Sequence, residues 1–116
     1  MDSATLTQII PEISTETLAA LLRARVPINV LDARPMKTGQ GRIWGARHLT
    51  LNTTEEAIQS LIPYKGTFIV TYCGGPACEV SGRLAERLRS FGYTNVVRYR
   101  QGFEGWTEAG LPVEIP

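Results

Sequence analysis

Residues 67–92 constrain the fold more than any other part of this 116-residue chain. An apolar run, Phe68-Ile69-Val70, continues to Tyr72 and stops at Cys73, where small residues and a proline take over. Val80, Leu84, Leu88 and Phe91 then recur at near-fourfold spacing until Gly92. The pattern reads as a buried strand, a tight loop and an amphipathic helix closed by glycine. A strand that runs straight into such a helix is half of a crossover unit, which makes its partner strands parallel.

The rest of the chain repeats that alternation. Residues 1–13 read as an extended lead-in with Ile9, Ile10 and Ile13 available to pack, and residues 14–116 as one domain. Ser14 caps a helix whose first turn holds Glu16 and Thr17, whose apolar face is Leu18, Leu21 and Leu22, and whose stop is Pro27. Ile28 to Leu31 form a buried strand ending at Asp32, followed by a polar loop over 33–45 and a short strand within 46–51. Thr53 or Thr54 caps a second helix, with Ala57, Ile58, Leu61 and Ile62 inward and Pro63 at its end. A strand over 95–99 and a short helix over 102–109 containing Trp106 complete the series. Strands alternating with helices imply an α/β layer built on a parallel sheet. Functional loops of such sheets lie beyond the carboxyl ends of the strands, and Asp32 and Cys73 both stand at such ends.

Composition narrows the partners. With 12 basic and 11 acidic residues the formal charge is +1, which gives no long-range field toward nucleic acid or a membrane surface. No apolar stretch approaches the roughly 18 residues of a membrane span, and Asp2 precedes the first apolar positions with no basic residue, unlike a signal peptide. Two cysteines cannot form the disulfide framework of a secreted domain, so the expected compartment is a reducing cytoplasm. Two cysteines and one histidine without a Cys-x-x-Cys unit make a zinc site an unpromising reading, and thioredoxin-type chemistry with it.

Cys73 is the candidate catalytic residue. A thiol between a strand end and a helix start sits where backbone N–H groups converge and the helix dipole is positive, which lowers its pKa and favours the thiolate. Gly74 and Gly75 permit backbone conformations that turn N–H groups toward the sulfur, Pro76 stiffens the loop, and Ala77, Cys78 and Glu79 complete it. The competing reading of Cys73 is a buried, inert cysteine.

In their order along the chain, five segments resemble the rhodanese (sulfurtransferase) family. Val30-Leu31-Asp32-Ala33-Arg34 is similar to its Asp-x-Arg strand end, residues 41–49 (Gly-Arg-Ile-Trp-Gly-Ala-Arg-His-Leu) to its Gly-His-Ile-Pro-Gly-Ala-x-His segment, and Val70-Thr71-Tyr72-Cys73 to the strand entering its active loop. Gln101-Gly102-Phe103-Glu104-Gly105-Trp106 resembles its Gly-Gly-x-x-x-Trp turn, and Ala109-Gly110-Leu111-Pro112-Val113 its ending. The loop itself resembles a Cys-x-Gly-Pro-x-Cys variant, with Cys78 where the common single-domain pattern carries arginine.

The resemblance implies a three-layer α/β/α fold around a mainly parallel five-stranded sheet. It also implies a two-step reaction. The Cys73 thiolate takes sulfane sulfur from thiosulfate or from a persulfide or polysulfide and becomes a persulfide. A thiol, a protein sulfur acceptor or cyanide then takes the outer sulfur, with no metal or organic cofactor. Two other readings stay open: a rhodanese-like docking module that turns over nothing, and a thiol redox sensor using Cys73 and Cys78.

The neighbours of the loop sort by charge and place. Phosphatase and arsenate-reductase relatives of this fold grip a dianion with an arginine six positions after the cysteine; here that position is Glu79, which repels one. A thiosulfate donor then depends on arginines from other loops, with Arg34, Arg42 and Arg47 as candidates. Asp32 and Arg34 are expected to be structural, with Asp32 accepting backbone N–H bonds or pairing with an arginine; Arg83 is expected to pair with Glu79, His48 to be a satisfied structural histidine, and Trp106 to anchor the core through a bonded N–H. Tyr72 and Phe103 are candidate pocket walls. Cys78 is either a resolving thiol or a small apolar residue at the base of the loop.

Overall fold

The computed structural model describes residues 9–35 and 40–115. Its elements, in order, are α1 (Thr15–Arg23), β1 (Asn29–Asp32), β2 (Arg42–Ile43), β3 (Arg47–His48), α2 (Glu55–Leu61), β4 (Ile69–Tyr72), α3 (Val80–Ser90), β5 (Val96–Tyr99), α4 (Gly102–Glu108) and β6 (Val113–Glu114). The expected lead-in lies largely outside the described residues, as do positions 36–39 of the polar loop.

A parallel sheet in the order β3-β1-β4-β5 forms the centre, with Asp32 opposite Tyr72 and Thr71 opposite Arg98. Both faces are covered. Leu31, Ile69 and Val96 pack with Ile58 of α2, Ile62 just past its end, and Leu84 and Leu88 of α3. Val30, Val70, Tyr72 and Tyr99 pack with Leu18, Ala19 and Trp106 from α1 and α4. Burial on both faces explains why these strands read as continuous apolar runs without polar alternation. The three-layer α/β/α expectation holds.

The strand count does not. The parallel sheet has four strands among the described residues, not five. The fifth position, along the outer edge of β5, is taken by residues 11–13. Arg98 N–H donates to Pro11 O at 2.9 Å, Ile13 N–H donates to Arg98 O at 3.0 Å, and Glu12 makes one isolated parallel bridge. Pro11 has no N–H to extend the ladder. A second departure is the antiparallel ribbon of β2 with β6, which joins the loop over 33–45 to the chain end and has no strand-pair signal in the sequence.

Local chemistry sets the helix ends. Ser14 Oγ accepts from Thr17 N–H at 3.1 Å, and Thr54 Oγ1 from Ala57 N–H at 3.2 Å, so Thr54 rather than Thr53 is the cap. α1 stops at Arg23, before Pro27, because Arg25 takes a left-handed conformation (φ 59°). The N–H groups of Arg25 and Val26 then turn back to Leu22 O and Leu21 O, each at 3.1 Å. No helix among the described residues is long and apolar enough to cross a membrane.

Candidate active site

β1 and β4 are hydrogen-bonded neighbours in register, so their carboxyl ends lie side by side and bring Asp32 next to the chain that leads into Cys73. From there the loop 73–79 crosses the top of the sheet and enters α3. Its backbone is clamped by the start of α4: Phe103 N–H donates to Cys73 O and Glu104 N–H to Gly74 O, both at 2.8 Å. Gly102, at φ +67°, sits so close beneath the loop that a Cβ there would lie 2.5 Å from Cys73 O and 2.9 Å from Gly75 N. Gly75 is pressed in turn against the Glu104 carboxylate.

The loop folds back on itself through Cys78 N–H donating to Gly75 O at 3.1 Å. That turn brings the Cα atoms of Cys73 and Cys78 to 6.4 Å, and the two residues form a disulfide. Cys73 is 1% exposed, while Cys78 is half-buried at the edge of the same apolar cluster. The thiolate favoured at position 73 is therefore not the form in this structure: Cys73 is oxidised and enclosed, because the short loop turns back instead of opening outward. Gly74, Gly75, Ala77 and Glu79 donate no backbone hydrogen bond to another described residue. Pro76 has no N–H.

Arg98 on β5, which no sequence motif singles out, supports the far half of this loop. It is 8% exposed; its Nε donates to Ser81 Oγ at 2.9 Å and its Nη2 to the Cys78 carbonyl oxygen. Thr71 Oγ1 donates to Ser81 O at 2.8 Å, so two neighbouring strands tie down the first turn of α3. Among the described residues no carboxylate forms an ion pair with Arg98. Burial pulls its guanidinium pKa down, and the nearby Arg100 charge adds to that. The available signal was a lone arginine inside a strand that is otherwise apolar.

Asp32 and Arg34 are structural, and the arginine that meets Asp32 is Arg34, which also donates its backbone N–H to Asp32 Oδ1 at 3.0 Å. Arg34 Nη2 lies 2.7 Å from Asp32 Oδ2 and also donates to Gly41 O at 2.7 Å. The guanidinium stacks 4.4 Å above the Phe103 ring, whose own N–H holds Cys73 O. Tyr72 is not a pocket wall. It is wholly buried, accepts from Ile43 N–H at 3.1 Å and donates to Asp32 Oδ2 at 2.9 Å. Burial first, and then the Asp32 charge, raise its phenol pKa well above the ordinary value.

The other arginines serve elsewhere. Arg42 is engaged by Glu114 across the β2–β6 ribbon, Nε to Oε1 3.2 Å, and Arg47 is exposed on the edge strand β3. Arg83 pairs with Glu79 at 3.9 Å on an exposed face. His48 Nε2 contacts the Arg34 carbonyl oxygen, and Trp106 Nε1 donates to Pro112 O at 2.7 Å. The carboxylates of Glu79 and Glu104 thus flank the loop. Two concavities of about 710 and 800 Å³ lie on the surface, and neither is lined by a residue of the 73–79 loop. Among the described residues no group of three or more His, Cys, Asp or Glu side chains is arranged to hold a metal.

Comparison with known proteins agrees with this architecture. The rhodanese-like domain profile matches residues 14–109. A thiosulfate sulfurtransferase GlpE of Actinobacillus succinogenes is 34% identical over 109 residues, covering 93% of this chain and 90% of that protein. The BH2092 protein from Bacillus halodurans superposes with a TM-score of 0.82 over 97% of this chain and 82% of its own, at 24% identity, a likeness of fold. A thiosulfate sulfurtransferase from Pseudomonas aeruginosa superposes with a TM-score of 0.69 at 25% identity, covering 91% of this chain and 20% of its own. The chain belongs to the rhodanese-like domain family.

Proposed function

We propose that this protein is a sulfurtransferase whose reduced form carries sulfane sulfur on Cys73. The observation that carries the reading is the position of Cys73. It stands directly after a central parallel strand, opens a loop whose amides at Gly74, Gly75, Ala77 and Glu79 have no acceptor among the described residues, and precedes the 11-residue helix α3. Unpartnered amides and a helix N-terminus favour an anionic sulfur there, whether thiolate or persulfide. The similarity to a thiosulfate sulfurtransferase over 93% of the chain supports the same reaction class.

In the forward step the Cys73 thiolate attacks the sulfane sulfur of the donor. With thiosulfate the S–S bond breaks and sulfite leaves with the electron pair. The acceptor, a small thiol, a protein thiol or cyanide, then attacks the outer sulfur and Cys73 departs as thiolate. No proton has to be removed from an ionised nucleophile, consistent with the absence of a histidine contact at Cys73 among the described residues. Glu79 and Glu104 beside the loop oppose a dianion, which favours persulfide or polysulfide donors over thiosulfate. Such chemistry needs a compartment that keeps the thiols reduced, as the cytoplasm does.

The test is sulfite release. Pre-reduced protein mixed with thiosulfate should liberate sulfite, and with a persulfide donor should gain sulfur; Cys73→Ser should do neither. If the reduced wild-type protein takes sulfur from no donor, the docking-module reading replaces this one. The Cys73–Cys78 disulfide keeps a redox-sensor reading alive, and that reading requires the same reduced protein to ignore every sulfur donor while cycling with peroxide.

A further inference from the structure

We propose that Cys78 is a second catalytic residue, a resolving thiol that expels the transferred sulfur as hydrosulfide and makes turnover depend on a dithiol reductant. The inference rests on the Cys73 persulfide reading and adds the fate of the sulfur to it.

Three observations point this way. Cys78 is bonded to Cys73, so its sulfur reaches the carrier sulfur without displacing any other element of the fold. The reach is built in, because the Cys78 N–H to Gly75 O turn and the α4 clamp on Cys73 O and Gly74 O fix both ends of the loop. Finally, Arg98 bonds the Cys78 carbonyl oxygen and holds that residue at the head of α3. A cysteine serving only as a small apolar filler would need none of this contact with the carrier.

The step balances. After thiosulfate has loaded Cys73 and sulfite has left, the Cys78 thiolate attacks Cys73 Sγ. A new Sγ–Sγ bond forms, the bond from Cys73 Sγ to the outer sulfur breaks, and the outer sulfur leaves as hydrosulfide with the electron pair. The two cysteine sulfurs are oxidised to the disulfide and the sulfane sulfur is reduced to sulfide. No further oxidant is needed, and the product protein is the form in this structure.

Regeneration follows from exposure. Cys73 is enclosed while Cys78 is half-buried, so an incoming dithiol attacks Cys78 Sγ and Cys73 leaves as thiolate among unpartnered amides. The second thiol of the reductant then resolves the mixed disulfide and frees Cys78. The reaction that must follow in sequence is therefore one that supplies dithiol equivalents, of the protein disulfide-reductase class, and one that consumes sulfide.

The experiment is an anaerobic single turnover. Pre-reduced, desalted protein is mixed with thiosulfate and, in a parallel arm, with glutathione persulfide. Free sulfide is measured in the thiosulfate arm and intact mass in both, with a donor-free control. Wild-type protein should release sulfide in proportion to chain and lose two hydrogens. Cys78→Ser should lose sulfide release and keep one added sulfur. Cys78→Ala serves the same purpose if the serine variant does not fold. Wild-type protein that keeps its added sulfur as stably as the Cys78 variants, with no sulfide released, overturns the resolving role and leaves the carrier role intact. A Cys78 variant that gains no sulfur from either donor overturns the carrier role, and the resolving role falls with it.

Discussion

Gly102 lies directly against the backbone of Cys73: a side chain at 102 would place its Cβ 2.5 Å from the Cys73 carbonyl oxygen. The two residues are far apart in the chain, and their contact sets how closely the 73–79 loop approaches the start of α4. It also explains why the Phe103 and Glu104 amides can reach Cys73 O and Gly74 O.

Gly102→Ala should therefore cost more than backbone conformation alone. Gly110 has a similar φ of +72°, and a Cβ there would meet nothing within 4 Å, so it is the natural control. Gly110→Ala should lose about 1–2 kcal/mol from the left-handed conformation. Gly102→Ala should lose at least about 1 kcal/mol more from overpacking against the loop. Urea unfolding of both variants measures the difference; equal losses would show that the close approach carries no energy.

Removing the cross-link should lower stability by about 2 kcal/mol, the loop-closure entropy of a short disulfide loop. The relevant separation is 5 residues. Thermal melts with and without a phosphine reductant give the value. The Cys73→Ser/Cys78→Ser double variant should melt like the reduced wild-type protein and show no response to reductant.

Arg98 is a buried cation bonded to neutral acceptors at the loop and at α3. Arg98→Met leaves Ser81 Oγ and Cys78 O without that donor, at a cost of about 1–3 kcal/mol. It also withdraws a positive charge from the sulfur site, so the Cys73 thiol of the reduced protein should titrate at higher pH. Thiolate absorbance against pH in a Cys78→Ser background reads this directly; an unchanged titration would confine Arg98 to a structural part.

Alkali should unfold the protein through its buried phenols. Burial raises the pKa of Tyr72, Tyr93 and Tyr99, with the Asp32 charge adding to the effect at Tyr72. The folded state therefore holds the phenol protons more tightly than the unfolded chain, whose phenols titrate near 10.0. Stability from this source is complete below that pH and is lost as pH rises beyond it. Melting temperature followed from about pH 8 to 11 should fall on the alkaline side. Tyr72→Phe should flatten that limb while lowering stability at neutral pH by about 1–3 kcal/mol, since Asp32 loses a donor and Ile43 N–H an acceptor.

Local pattern sufficed for the alternation of strands and helices, for the parallel sheet and for the position of Cys73 at a strand end; the three layers came from the family resemblance. Apolar runs, a cap at Ser14, a cap at Thr53 or Thr54 and the stop at Gly92 are nearest-neighbour signals, and the helices and strands follow them closely. The i,i+4 pair of Arg83 with Glu79 was legible for the same reason, because the partners are a few residues apart, whereas the sequence left open that Arg34 is the arginine that meets Asp32. The end of α1 was not legible, because a left-handed Arg25 leaves no glycine to announce it.

What tertiary structure alone decided is the chemistry of the loop. Whether Cys78 meets Cys73 depends on a turn inside the loop and on clamps from α4 and β5, which no periodicity encodes. The place of Arg98 beneath Cys78, of Glu104 over Gly75 and of residues 11–13 along β5 likewise depends on how strands distant in sequence are ordered in the sheet. Hydrophobic period and capping are properties of short segments; contacts among loops are settled by packing, which is a property of the whole chain.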